Sequence, residues 1–495
     1  MSNYRQIFKS TALLGGTQVI LTIIGLGRNK VLAVLLGPAG VGLAGLYTSI
    51  TTLVGTLTGF GIGNSGVRQI AEANRLSDKT RVARIAKVIS RVLFLTNIIG
   101  ALIICFFSRP ICQATFGDKK YAFGVALMSL VLLFMGISAG QMTILQGLLR
   151  IKDLVSCQIL GSVFGTLVSI IIIYFLRERG VAWFLVANAA FAILTSWWFT
   201  RQIQFVPARV GLVCLVKETR ILGGLGIALM SAGLLASVVA YFTRLIIIRQ
   251  LGLQSTGQFQ AANTLSSYYV GFILSAMGTD FYPRLSGLCN DNPEANRLMN
   301  EQVEIGLMLA TPGITATLVL APWVLRVFYT GSFVAAADIV QWQVIGVFFR
   351  MISWPLWHIQ MAKGLGRLFV ITESTSAGLQ ILLNWICIRK WGLEGVGMAF
   401  ALFYMIHIGG LYILCRRLSR FTWSRRFFLI SLPGAFVLAL SFAAVKLLPV
   451  VWGVSFGLGM CLLSCLGSFH GLQKVLGVNI KSMILKRFTP NPAQM

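Results

Sequence analysis

Three arginines stand inside long apolar runs: Arg28, Arg244 and Arg350. Arg28 lies nine residues before Gly37, and Arg244 lies eight before Gly252. At about 1.5 Å per helical residue, each sits roughly 12 Å inside the glycine that ends its run. Arg350 is deepest, and Pro355, five residues on, predicts a kink there. Lys30, Arg68 and Arg249 are closer to the ends of such runs, where a long side chain can reach back to an interface. A charge at the centre of a bilayer costs at least about 2.5–3.5 kcal/mol, so an embedded cation faces water or a partner. A guanidinium binds phosphate through two parallel, charge-assisted hydrogen bonds. Embedded cations with few acids to neutralise them therefore point to an anionic ligand carrying a phosphate or diphosphate group.

The acids are few. Asp280 precedes Arg284 by four residues, the spacing of a helical ion pair. Glu373 lies within an apolar run and fits either a proton or cation site or an interface-facing, paired carboxylate. These two are the candidates for ion coupling. Asp338 reads as an end-of-helix residue. Other chemistry finds no support. Gly453-Val454-Ser455-Phe456-Gly457 matches the nucleophile-elbow pattern, but it lies in an apolar run and no Asp or Glu follows it. His358, His407 and His470 form no metal motif, and most of the cysteines sit inside apolar runs without zinc or disulfide spacing. No catalytic residue, metal or cofactor is expected.

What positions the cations is a membrane scaffold. Hydrophobic residues make up 56% of the 495-residue chain and charged ones only 11%, well below the roughly 25% of a soluble domain. Apolar runs of about 20 residues recur from end to end, and β-barrel alternation is not evident. About fourteen helical spans are predicted, near 10–36, 41–70, 85–107, 121–149, 154–176, 181–200, 220–250, 256–282, 298–320, 333–362, 367–388, 395–415, 427–447 and 450–470. The fold class is an all-α polytopic membrane protein. No cleavable signal is evident, so the first run is a retained helix.

The net charge of +28 is scattered between the spans, which argues against nucleic acid and for membrane topology. Placing the N-terminus, with Arg5 and Lys9, in the cytoplasm gives one side most of the loop cations. These are Arg75, Lys79, Arg81 and Arg84; Arg150 and Lys152; Arg201, Arg209 and Lys217; Arg284 and Arg297; Lys363 and Arg367; and the run from Arg416 to Arg426. The tail adds Lys474, Lys481, Lys486 and Arg487. The opposite side has far fewer, mainly Arg109, Lys119, Lys120, Arg177, Arg179, Arg389, Lys390 and Lys446. Both termini are expected in the cytoplasm.

An internal repeat organises the chain. Gly37 and Gly252 are 215 residues apart, as are Gly42 and Gly257, Gly63 and Gly278, and Gly180 and Gly395. Each unit holds six spans, and an even number restores the same orientation, so the repeats are parallel. The expected organisation is a six-helix lobe at 1–215, a second at 216–420, and two additional helices with a basic tail at 421–495. Small or polar residues line one face of three spans: Thr11, Gly15, Gln18, Thr22, Gly25 and Asn29; Gly45, Ser49, Thr52, Thr56, Gly59 and Gly63; and Gln260, Asn263, Ser267, Gly271 and Gly278. Such stripes fit either close helix packing or a water-filled cavity between the lobes.

The run Lys30-Val31-Leu32-Ala33-Val34-Leu35-Leu36-Gly37-Pro38-Ala39-Gly40-Val41-Gly42-Leu43, with Gly61, Val67 and Arg68, resembles the N-terminal repeat of Wzx polysaccharide flippases. These belong to the exporter superfamily that includes MATE antiporters and lipid II flippases. Val239-Ala240-Tyr241, Arg244, Pro283-Arg284-Leu285-Ser286, Trp342-Gln343, Ala362-Lys363, Arg367, Phe369 and Glu373 extend the likeness over roughly residues 8–416. The resemblance implies two six-helix lobes around a cationic cavity in the bacterial inner membrane. It also implies a substrate of undecaprenyl-diphosphate-linked oligosaccharide, as in O-antigen and lipopolysaccharide synthesis, moved by alternating access. A polysaccharide polymerase and a chain-length regulator are the implied partners, beside membrane lipids. Lys30, Arg68 and Arg244 match basic positions of the pattern. The last two spans depart from a twelve-helix form. The alternatives are a cation-coupled small-molecule antiporter, which would want acids in its cavity, and an oligosaccharide polymerase, which would want catalytic residues and a long external loop.

Overall fold

The computed structural model describes residues 2–206 and 212–476, with side chains left aside at a few further positions, chiefly 2–12, 14, 212–229 and 475–476. The loop cations Arg5, Lys9, Arg209, Lys217, Lys481, Lys486 and Arg487, and Thr11 of the first stripe, therefore lie outside the described side chains. The described chain is α-helical, with short 3-10 turns at Arg177–Arg179 and Gly331–Ala336, and no strand occurs among the described residues. The helices are α1 (Ser2–Gly59), α2 (Ile62–Arg75), α3 (Lys79–Phe106), α4 (Ser108–Phe116), α5 (Ala122–Gly147), α6 (Ile151–Leu176) and α7 (Gly180–Thr200). They continue with α8 (Leu212–Gly287), α9 (Asn292–Phe328), α10 (Ala337–Ala362), α11 (Gly366–Trp391), α12 (Glu394–Ser419), α13 (Arg425–Leu447) and α14 (Val450–Leu476).

α1 and α8 are each two membrane-length arms joined at a bend. The bends are Gly37, at φ 63° and ψ −164°, and Gly252, at φ 84° and ψ 179°. A side chain at either glycine would meet nothing within 4 Å, so space is not the constraint. The backbone is: a positive φ with extended ψ is essentially a glycine conformation. The 215-residue repeat thus marks two copies of one backbone device. Ten stretches among the described residues are long and apolar enough to cross a membrane. Three of them, Gly15–Gly59, Ile151–Thr200 and Met230–Tyr268, contain two helical arms each. The expected all-α polytopic architecture is what the chain adopts.

Local differences from the sequence reading have physical causes. The span expected over 41–70 is broken: Phe60 and Gly61 both take positive φ, 46° and 64°, and the chain restarts as α2. Hydropathy does not register that break, because the run stays apolar through Phe60. α9 starts and ends several residues beyond the expected 298–320, carrying Pro312 and Pro322 inside it. α10 continues as one helix through Pro355. The connection after α3 contains the short helix α4, which the sequence did not suggest.

By packing, the described chain forms two units. The first takes Met1–Ala261, Leu325–Val334 and Val370–Leu393; the second takes Ala262–Val324, Ala335–Phe369 and Glu394–Met495. In the first, Ile62, Ile70, Ile85, Ile89, Leu93 and Ile144 bury α2 against α3 and α5. In the second, Phe281, Leu285, Met299, Leu356, Ile359, Leu411 and Phe421 form a core from the end of α8, α9, α10 and α12. A polar ladder on α9 fixes the entry to the last two helices. Asn296 accepts from Ser419 Oγ at 2.7 Å and donates to the Ser419 carbonyl at 2.8 Å. Asn300 donates to the Thr422 carbonyl at 3.1 Å and accepts from the Ser424 amide at 3.0 Å. Ser424 Oγ donates to Glu304 at 2.5 Å and caps α13 by accepting from the Phe427 amide at 2.9 Å. Residues four apart on one helix face thus hold the 419–427 turn.

Candidate functional site

Arg244 lies on the first arm of α8, two turns before the Gly252 bend. Its Nε and Nη2 donate to Gln260 Oε1 at 3.2 and 2.8 Å, and its Nη1 donates to the Ala240 carbonyl at 2.8 Å. The guanidinium carbon is 5.7 Å from the centre of the Phe259 ring. Gln260 lies on the second arm, so the bend folds the acceptor back over the arginine. Gly45 backs Gln260, with room for a Cβ only 3.0 Å from Oε1. An amide oxygen orients the guanidinium without cancelling its charge, and no Asp or Glu forms an ion pair with Arg244 among the described residues.

The stripe residues around this site pack closely. A Cβ on Gly42 would lie 2.5 Å from the Leu253 carbonyl and 2.8 Å from the Gly257 nitrogen, and one on Gly257 would run into the Pro38 carbonyl. At Gly42 and Gly257, backbone approach is what excludes larger residues; at Gly45 it is the Gln260 side chain. Further along, Thr56 and Ser237 share a hydrogen bond of 3.2 Å.

Arg28 occupies the first arm of α1. Its Nη1 donates to Asn188 Oδ1 at 3.3 Å, and its guanidinium carbon is 5.8 Å from the Phe184 ring centre. Asn188 Nδ2 is itself held by Ser169 Oγ at 2.5 Å and the Phe184 carbonyl at 2.8 Å. Sequence reading missed Asn188; the available signal was an amide in the middle of the apolar run 180–200.

Lys30 and Arg249 play another part. Lys30 Nζ donates to the Arg326 carbonyl at 3.2 Å and to the Tyr329 carbonyl, at the C-terminal end of α9. Arg249 Nη2 donates to the Gln113 carbonyl at 2.6 Å and Nε to the Ala114 carbonyl at 3.1 Å, at the C-terminal end of α4. The last carbonyls of a helix lack intrahelical donors and carry the negative end of its dipole, so a cation there caps both. The first repeat caps a helix of the second, and the second caps a helix of the first. α4 is stitched further by Thr115 and Tyr241, whose hydroxyls are 2.7 Å apart. Next to that end, burial pushes the Cys112 thiol up.

Arg68 is exposed on α2 and makes no hydrogen bond or ion pair among the described residues. Asp280 pairs with Arg284 at 3.1 Å, on an exposed face of α8. Glu373 is half-buried on α11. In the second unit, Arg350 is half-buried on α10, its guanidinium carbon 6.0 Å from the Tyr404 ring centre on α12. No carboxylate pairs with it among the described residues. Asp338 and Glu394, the acids of these two helices, are engaged by Lys446 at 2.7 and 3.2 Å instead. The nucleophile-elbow look-alike is packing: Gly453 faces the Ala444 carbonyl and Gly457 faces Val319, at 2.7 and 2.5 Å from where a Cβ would stand.

Residues 31–338, more than half of the chain, match the family model described as polysaccharide biosynthesis protein. The chain belongs to the polysaccharide biosynthesis protein family. This family member is similar to the lipid III flippase of Escherichia coli (strain K12), with 25% identity over 411 residues that cover 79% of this chain and 95% of the relative. The lipid III flippase of Shigella flexneri matches to the same extent. Among solved structures, the fold is shared with the lipid II flippase MurJ in an inward closed conformation, at TM-score 0.70 and 14% identity, covering 93% of this chain and 99% of that one. It is shared also with an inward-facing MATE family multidrug resistance transporter, at TM-score 0.65 and 17% identity, covering 81% and 95%.

Proposed function

We propose that this polysaccharide biosynthesis protein is an inner-membrane flippase. It carries a polyprenyl-diphosphate-linked oligosaccharide from the cytoplasmic to the periplasmic leaflet, with the repeat lobes 1–215 and 216–420 alternating access and residues 421–495 added to them. Both termini are cytoplasmic in this reading, and the product passes to a polymerase and chain-length regulator. The observation that carries the proposal is Arg244: a membrane-embedded guanidinium held by a neutral amide and a carbonyl, its positive charge left available to an anion. Similarity to the lipid III flippases along 95% of their length supports the same reading.

Arg28 and Arg350 are assigned to substrate binding as well, each placed against an aromatic ring. Lys30 and Arg249, occupied at helix ends, contribute through the shape of the path, and Arg68 as an exposed charge at its edge. Glu373 is the coupling candidate; Asp280, paired with Arg284 on an exposed face, is the weaker one. Movement requires that the ligand bind the two states differently, which a diphosphate does if the arginines close on it in only one of them.

The test is reconstitution. Purified protein in liposomes, given a fluorescent polyprenyl-diphosphate disaccharide in one leaflet, should expose the label to a membrane-impermeant quencher or enzyme on the other side. Equal rates in protein-free liposomes would refute the assignment, and transport of a hydrophilic cation under a proton gradient would point to antiport.

A further inference from the structure

The turn between α12 and α13 carries a concentration of charge that the cationic path does not use. Arg416 and Arg417 lie in the last turn of α12, Arg420 follows it, and Arg425 and Arg426 begin α13; all are exposed. No ion pair or side-chain hydrogen bond engages any of them among the described residues. No Asp or Glu follows Glu394 in the sequence. The acids of α9, whose polar ladder holds this turn, are committed elsewhere. Glu294 and Glu301 flank Arg297 at 3.8 and 2.9 Å, and Glu304 accepts from Ser424. The other end of α13 is the opposite case, since Lys446 there is met by Asp338 and Glu394.

Helix stability explains only part of the cluster. A cation in the last turn of a helix complements its dipole, as Arg416 and Arg417 do. A cation in the first turn opposes it, so Arg425 and Arg426 add positive charge where α13 already presents its positive end. The ladder from α9 and the Trp423 ring, stacked on Phe427 at 4.0 Å and 17°, hold the turn that gathers these charges. Below the arginines the exposed surface of α13 is apolar. Arg425, Phe428, Leu429 and Leu432 follow one another at helical spacing on one face, and all are exposed. Phe427, Ser431, Gly434 and Leu438 are buried on the other face.

Depth decides what meets the cations. α13 has 23 residues and is about 35 Å long at 1.5 Å per residue, a little more than the ~30 Å hydrocarbon core. Measured back from Leu447, about twenty residues span that core, so it begins near Phe428 and leaves Arg425 and Arg426 at headgroup level. Leu432 is about 6 Å beyond Phe428, well within the roughly 15 Å of one leaflet. The positive-inside assignment makes that leaflet the inner one. We propose that the start of α13 is a binding site for an anionic phospholipid of the inner leaflet, with its phosphate on Arg425 and Arg426 and its chains along Phe428, Leu429 and Leu432. Arg416, Arg417 and Arg420 add to the attraction. An acidic protein segment would use the charges alone; the apolar strip continuous with them favours a lipid. The site is independent of the flippase reading and rests only on the inner-leaflet placement of this turn.

Native mass spectrometry of the delipidated full-length protein tests it, with titrated phosphatidylglycerol, phosphatidylcholine, polyprenyl diphosphate and an oligoglutamate peptide. The wild type should bind phosphatidylglycerol more tightly than phosphatidylcholine. At about fivefold per interfacial cation, Arg425→Gln with Arg426→Gln should weaken the tightest phosphatidylglycerol site roughly 25-fold. Arg425→Lys with Arg426→Lys keeps both charges and should stay within a few-fold of wild type, which separates charge from folding. Arg75→Gln with Arg84→Gln, which removes two exposed cations of the same side elsewhere, should leave that site near wild type. Equal phosphatidylglycerol affinity in the wild type and a folded Arg425/Arg426 Gln pair would overturn the proposal. So would an equal loss in the Arg75/Arg84 pair, which would mean diffuse attraction and no site, or phosphatidylcholine binding as tightly. Oligoglutamate displacing the lipid at similar concentration would overturn it in favour of an acidic protein partner. Polyprenyl diphosphate, rather than phosphatidylglycerol, losing affinity in the Gln pair would overturn it in favour of substrate docking.

Discussion

Gly42 and Gly257, equivalent positions of the two repeats, meet backbone to backbone. A Cβ on Gly42 would stand 2.8 Å from the Gly257 nitrogen, and one on Gly257 would strike the Pro38 carbonyl. Each glycine follows its own bend, Gly37 or Gly252, by five residues. The bends therefore deliver two arms into direct contact, and the contact sets Gln260 against Arg244. Gly257→Ala forces the backbones apart and should cost about 1–3 kcal/mol, as overpacking does. Thermal unfolding of the purified protein should show a lower midpoint, with Gly271→Ala, which meets nothing within 4 Å, close to wild type. An unchanged midpoint for Gly257→Ala would disprove the close contact.

Gln260 orients Arg244 and carries no charge of its own. Gln260→Leu should leave the guanidinium in place but free to turn, reducing flipping several-fold, while Gln260→Glu should reduce it more by neutralising the cation. The comparison is made in liposomes at equal protein level. If Gln260→Glu were as active as wild type, a positive Arg244 would not be what the substrate needs.

Lys30 and Arg249 predict a local, reciprocal effect. A cation at a helix C-terminus contributes about 0.3–1 kcal/mol, up to about 2 when partly buried. Lys30→Met should speed amide hydrogen exchange in the last turn of α9 and the residues after it, around 325–331. Arg249→Met should do the same around 113–118 and leave 325–331 alone. Exchange that rises equally everywhere would mean global destabilisation instead of two caps.

The sequence disclosed what local backbone chemistry demands. Gly37 and Gly252 were legible because a positive φ with extended ψ excludes other residues, so the repeat carried a glycine at each bend. The Asp280–Arg284 pair was legible from its spacing of four. Relations between distant segments were not. Lys30 and Arg249 looked like interfacial cations, yet their acceptors lie on α9 and α4, roughly 300 and 135 residues away, and are backbone carbonyls that leave no residue signature. Asn188, and the ladder of Asn296, Asn300 and Glu304, are single amides and an acid in apolar or amphipathic helices. Only the fold says what they hold. The break at Phe60 was hidden because a positive φ there falls on a residue that rarely takes one.

Glu373 bears on energy coupling. If it takes up the coupling ion, Glu373→Gln should abolish the dependence of flipping on an imposed gradient while the protein still reaches the membrane and binds lipid. Transport measured in liposomes with and without a proton or sodium gradient separates the cases. A Gln variant that still responds to the gradient would leave Glu373 a structural carboxylate.

Arg350 offers the most direct test of the cationic path. It lies on α10 with the Tyr404 ring 6.0 Å away and no carboxylate partner among the described residues, while Asp338 and Glu394 on the same pair of helices are taken up by Lys446. A cation–π contact of this kind contributes about 0.5–1 kcal/mol where exposed, which holds the guanidinium without discharging it. Arg350→Lys keeps the charge and loses the planar fork, so it should retain part of the flipping rate. Arg350→Ala should lose most of it. Tyr404→Leu should weaken transport only about two- to fivefold, the value of the lost ring contact. Removing the substrate's charge sharpens the comparison: a polyprenyl-linked sugar without its diphosphate should be moved poorly by the wild type and no worse by Arg350→Ala. Equal loss on both lipids would mean that Arg350 supports the helix pair and not the phosphate.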